Sequence, residues 1–128
     1  MLTPGWVVSL VYLRRFGAKI SPRAEVDLSD NIKMGKGCVV GSFTKVKASD
    51  GPVTMGDRCG IATNCFVAGG PKGIEIGDNF VCGPNVVMTA SNYVYAEVGV
   101  HLEDQGISSK GVRIGKNVWS GAGCVILD

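Results

Sequence analysis

The chain has 128 residues, with 13 Lys plus Arg against 11 Asp plus Glu and a formal net charge of +2. That length suggests one domain, and so small a surplus of positive charge, without a basic stripe, excludes the electrostatic footprint of a nucleic-acid binder. The 19 Gly are spaced rather than clustered, which argues against disorder, and no run of 18 apolar residues is present to span a bilayer.

Residues 1–19 differ from everything after them. Pro4 is followed by Trp6, Val7, Leu10, Val11 and Leu13, then Arg14 and Arg15, with Gly17 as a stop. This pattern predicts a short helix that caps the open end of the remaining chain. A second reading lays the helix on a membrane surface, apolar body down and arginines at the headgroups.

Residues 20–128 carry a six-residue unit, loose at first, with Val26, Leu28 and Ile32 as candidate inward positions. From Met34 the unit is clear. Its first position reads Met34, Val40, Val46, Met55, Ile61, Val67, Ile76, Cys82, Met88, Ile114, Ser120 and Ile126. The second position is mostly tiny, as in Gly35, Ala62, Gly77 and Gly83. The fourth favours residues that tolerate positive φ: Gly37, Asn64, Asn79, Asn85, Asn117 and Gly123. The fifth holds Cys38, Thr44, Cys59, Cys65, Phe80, Val86, Val118 and Cys124. All five cysteines thus fall in slots for small or medium inward side chains, where a free Cys acts as a small hydrophobe. Their odd count, without a secretory-signal pattern, argues for a reducing compartment and a cytoplasmic protein.

A strict period of six drifts off any one helix face, and long alternating strands would need a period of two. Short flat segments joined by tight corners fit, three to a coil, stacked through parallel ladders. Met34 to Met55 and Met55 to Ile76 each span 21 residues, three more than three hexads, and Ile76 to Ile114 spans 38. Every insertion falls after the third hexad's first position, so all leave the prism at one corner. The longest is the loop at about residues 89–111. Insertions gathered on one face mark where a solenoid tends to bind. The chain stops at Asp128, inside the third hexad of a coil. That predicts either a fragment with C-terminal coils missing or a ladder edge covered by a partner.

The repeat resembles that of the hexapeptide-repeat acyltransferases, and the resemblance implies an all-β fold, a left-handed parallel β-helix with a short N-terminal helix and one long loop after Met88. Spacing itself carries no handedness. The segments Ser91-Asn92-Tyr93, Glu103-Asp104-Gln105-Gly106, Lys110-Gly111 and Asn117-Val118-Trp119 are similar to the sugar and polysaccharide O-acetyltransferase branch. The resemblance implies acetyl-CoA as acyl donor, a saccharide or small-molecule acceptor, no metal and a homotrimer with the CoA groove between prisms. Such chemistry needs a general base for the acceptor hydroxyl and donors for the oxyanion.

Relatives place a His base at the start of the long loop, where this chain has Ser91 and Tyr93. They also use an Asn in the preceding coil, where Ala62 stands. The only His is His101, a candidate base or a solvated loop residue. Catalytic candidates are therefore His101, Tyr93 and Ser91. For CoA the candidates are Trp119, Gly121, Ala122, Lys110 and Lys116. Trp119 reads equally as a subunit contact, the cations as a solvated face, and the small residues as a need of the repeat. A non-catalytic β-helix, either scaffold or binding module, is the alternative function. A metal-binding trimer of the carbonic anhydrase type would need more His than one per chain.

Overall fold

The computed structural model describes residues 3–128, so the first two residues of the expected N-terminal helix lie outside it. The chain opens with the helix Gly5–Phe16 (α1). The Pro4 carbonyl accepts from the Val7 and Val8 N–H groups, and Pro4 sits just outside the first turn rather than within it. Gly17 ends α1 in the left-handed conformation at φ 69°, the C-terminal glycine stop the sequence predicts. Val8 and Tyr12 enter the core, and the Tyr12 hydroxyl donates to the Asp27 carbonyl.

Short strands come next, three to a coil. The first coil holds Lys19–Ile20 (β1), Glu25–Val26 (β2) and Ile32–Met34 (β3). The second holds Val39–Val40 (β4), Lys45–Lys47 (β5) and Val53–Met55 (β6). The third holds Gly60–Ile61 (β7), Phe66–Ala68 (β8) and Ile74–Ile76 (β9). The fourth begins with Val81–Cys82 (β10) and Val87–Thr89 (β11). The chain then leaves through Asn92–Tyr93 (β12), the short helix Leu102–Gln105 (α2) and Ile107–Ser108 (β13). It rejoins at Val112–Ile114 (β14), and Trp119–Ser120 (β15) and Val125–Ile126 (β16) start a fifth tier.

The strands form three parallel faces in the orders β1-β4-β7-β10-β15, β2-β5-β8-β11-β16 and β3-β6-β9-β14. The protein is a three-sided parallel β-helix. Its register matches the hexads throughout: Met34 pairs with Met55, Met55 with Ile76 and Ile76 with Ile114. Every insertion emerges between the second and third faces, the single corner the spacing predicts.

Inward positions make the core. Position-one residues from Met34 to Met88 and position-five residues from Cys38 to Val86 are buried. Three inward expectations are corrected. Leu28 is exposed, because the first coil turns there before the repeat is regular. Val118 and Cys124 occupy inward slots of the outermost tier, where no further coil packs above them among the described residues, and both are exposed.

The tight second position has a steric cause. A Cβ on Gly77 would lie 2.7 Å from the Gly115 carbonyl carbon of the next coil, and one on Gly83 would lie 2.8 Å from the Ala122 nitrogen. The corners adopt φ near +60° at Asn64, Asn79, Asn85 and Asn117, and their amides stack as ladders, Asn64 to Asn85 at 2.7 Å and Asn79 to Asn117 at 3.1 Å. Phe43 and Arg58 are forced into the same conformation, at φ 62° and 54°, because they occupy the fourth position of their hexads.

The fifth position gains a role beyond size. Cys38, Cys59 and Cys65 direct their S–H groups at the carbonyls of Gly56, Gly77 and Gly83, the position-two residues of the coil above, at 3.1, 3.2 and 3.4 Å. Thr44 makes the equivalent bond to the Ala62 carbonyl, and its hydroxyl oxygen also accepts from the Cys65 N–H at 3.1 Å. A small side chain carrying a donor fills the slot and satisfies a corner carbonyl.

Candidate functional site

The excursion between β11 and β14 is held by polar contacts rather than by a core. Strands β12 and β13 pair antiparallel, Tyr93 opposite Ile107. Gln105 ties the turn before α2: its Oε1 accepts from the Glu97 N–H at 3.0 Å, and its Nε2 donates to the Glu97 and Val100 carbonyls at 3.0 and 2.9 Å. At its far end the Ser109 hydroxyl donates to the Ala90 carbonyl at 2.6 Å and accepts from the Lys72 N–H at 3.1 Å. These contacts seat the excursion on the insertion corner of the coil below.

Next to this seat the N–H groups of Lys110 and Gly111 converge on one oxygen of the Asp128 carboxylate, at 2.7 and 2.6 Å. Gly111 has φ 90°, which suits glycine and lets both donors face one way. The Asp128 carboxylate fills this anion-binding concavity, so a substrate oxyanion would need donors elsewhere.

Two hollows meet at Lys110. One, of about 470 Å³, is lined by Asn92, Tyr93, Tyr95, Ser108, Lys110 and Asp128. The other, of about 330 Å³, is lined chiefly by Lys72, Glu75, Lys110 and Arg113, with Arg113 paired to Glu75 at 3.3 Å. Together they join an aromatic, hydroxyl-rich wall to a cationic groove, a combination that suits a polyhydroxylic acceptor beside a phosphate.

The sequence-derived candidates are dispersed. Tyr93, half exposed on β12, and Lys110 share the first hollow. Ser91 lies half-buried at the root of the excursion, where its Cβ would crowd any side chain at Gly70. His101 does not line either hollow. It caps α2, its Nδ1 accepting from the Glu103 N–H at 3.3 Å. In the neutral ring that bond leaves the proton on Nε2, so proton abstraction by His101 requires the cap to open.

The five CoA candidates are spread over three corners and one face of the prism. Lys110 lies at the corner between the second and third faces, and Lys116, 3.8 Å from Asp78, between the third and first. Gly121 and Ala122 turn between the first and second. Trp119 points outward from the first face and is 77% exposed, in line with Val81 and Val39 of the tiers below. One chain does not bring these residues together.

Sequence reasoning gave no structural role to Asp128, Ser109, Gln105 and Tyr95. Their roles depend on where the excursion returns, and no repeat marks that. Two cysteines outside the site, Cys38 and Cys82, stay protonated. Burial pushes the Cys82 thiol up to about 12 and raises Cys38. Among the described residues no three His, Cys, Asp or Glu side chains gather as a metal site.

No protein-family model matches the sequence, and no curated protein matches it. Among solved structures, a mutant of AntD, an N-acyltransferase from Bacillus cereus, in complex with dTDP and coenzyme A, superposes with a TM-score of 0.76 at 20% identity. The match covers 92% of this chain and 67% of that one. At this identity the likeness is one of fold.

Proposed function

We propose that the protein is an acyl-CoA-dependent acyltransferase that moves an acetyl group from acetyl-CoA to a hydroxyl of a sugar or polysaccharide precursor. The observation that carries this reading is the parallel β-helix fold, which is similar to that of an N-acyltransferase in complex with dTDP and coenzyme A. The hollow at Tyr93, Tyr95 and Asn92 is the proposed acceptor site, and the groove at Lys72, Lys110 and Arg113 the proposed phosphate contact.

The reaction asks for three events. A base takes the acceptor's hydroxyl proton, the oxygen attacks the thioester carbonyl, and the CoA thiolate leaves and recovers a proton. The proposed base is His101, the single imidazole of the chain, once its cap on α2 opens. Tyr93 and Ser91 would orient the acceptor through their hydroxyls. The corner-by-corner spread of Trp119, Gly121, Ala122 and Lys110 supports a homotrimer, because a groove between adjacent prisms joins corners that one prism keeps apart. The outward apolar column of Val39, Val81 and Trp119 gives such a contact its surface.

A second reading, a non-catalytic binding module, draws on the engagement of His101 Nδ1. One substitution separates the two. His101→Asn keeps a good helix cap and removes the base. With acetyl-CoA and a panel of sugar acceptors, transfer should fall by about 100-fold or more while acetyl-CoA binding by calorimetry stays unchanged. Undiminished transfer would assign His101 to structure alone. Binding without turnover in the unsubstituted protein would establish the module.

A further inference from the structure

We infer that the outward face of α1 docks the protein on an anionic lipid surface. The inward face of α1 is spent on the first coil through Val8 and Tyr12. Its opposite face presents Trp6, Leu10 and Leu13, at 62%, 49% and 48% exposure. The spacings of four and three residues put them in one stripe over nearly two turns. The polar residue beside that stripe is Arg14, which is exposed.

Charge decides the occupant. Residues 1–24 carry Arg14, Arg15, Lys19 and Arg23 and no acidic side chain, whereas the remaining 104 residues hold 9 Lys plus Arg against 11 Asp plus Glu. The net charge of +2 thus hides a positive end on a slightly negative body. The acidic groups of the first coil are already engaged: Asp30 with Arg15 at 2.9 Å, and Glu25 and Asp27 with Lys47 at 3.2 and 3.6 Å. Arg14, Lys19 and Arg23 have no acidic partner among the described residues and are exposed. An aromatic and leucine stripe with an unpaired arginine beside it, at an end of the chain rich in cations, is the pattern of a helix lying in a lipid headgroup layer. A dimer formed through this face would bring like charges together. At 12 residues α1 is about 18 Å long, and no helix of the described residues is long and apolar enough to cross a membrane; the geometry is that of a helix lying on the bilayer.

The experiment is co-sedimentation of the full chain with vesicles of phosphatidylcholine alone or mixed with phosphatidylglycerol. Binding is expected only to the anionic vesicles, and it should weaken with added salt. The double substitution Leu10→Gln, Leu13→Gln should lower it about tenfold, with an unchanged unfolding midpoint because both side chains are exposed. Arg14→Glu should lower it while leaving the apolar stripe intact. Failure of the unsubstituted protein to pellet with anionic vesicles overturns the inference. So does equal binding to neutral vesicles, or self-association that Leu10→Gln, Leu13→Gln abolishes without any vesicle binding.

Discussion

The prism and its excursion are built by opposite means. From β1 to β11 each coil turns a residue inward at two fixed positions per hexad, and the same side chain serves as floor for one tier and ceiling for the next. From Ser91 to Lys110 almost nothing is buried, and shape depends on a few polar bonds at Gln105, Ser109 and Asp128. Regular burial gives cooperative, nearest-neighbour stability. Scattered polar bonds give a segment that opens on its own, which suits the proposed acceptor site.

The strongest challenge to that contrast is Phe80→Ala. Phe80 is fully buried where the third coil passes into the fourth, and its loss should cost about 3–5 kcal/mol in denaturant unfolding. A much smaller loss would mean the coils do not support one another.

Alkaline unfolding tests the same core by another route. The Cys82 thiol is raised from 9.0 to about 12 by burial. Below pH 9 folded and unfolded chains both hold the proton. Between 9 and about 12 the unfolded chain releases it first, so stability falls as pH rises. Tyr12, raised from 10.0 to about 12 by burial, steepens the fall above pH 10. Cys82→Val should flatten the decline; an unchanged slope would assign it to other groups.

The corners allow a paired test. Asn79→Ala removes a residue suited to positive φ and one amide of a ladder, and should destabilise by about 1–3 kcal/mol. Arg58→Gly relieves the same backbone conformation at an exposed, ladder-free corner and should stabilise by about 1 kcal/mol. Equal signs in the two variants would show that corner conformation does not control coil stability.

The smallest global effect belongs to the excursion. Gln105→Ala should change the unfolding free energy by no more than about 0.5 kcal/mol, yet speed hydrogen exchange at the Glu97 N–H. A large global loss would erase the distinction between prism and excursion.

Much of the prism was legible because its physics is local and repeated. Six corner residues chosen for tolerance of positive φ, from Gly37 to Gly123, all adopt it. Phe43 and Arg58 were not legible by type, since tertiary position overrides residue preference there. The site was less legible for the same reason. A hexad implies its neighbours, whereas nothing in Ser109 or Asp128 by itself says which backbone group it will meet.

The sequence alone determined the coil, its register, the single insertion corner and the inward cysteines of the regular tiers, because each arises from a period that burial enforces. Only the tertiary structure decided that His101 spends its Nδ1 on a helix cap, that Lys110, Lys116 and Gly121 face three different corners, and that Asp128 closes on Lys110 and Gly111. Those outcomes depend on contacts between residues with no fixed spacing, which become determinate only when the chain returns to the prism.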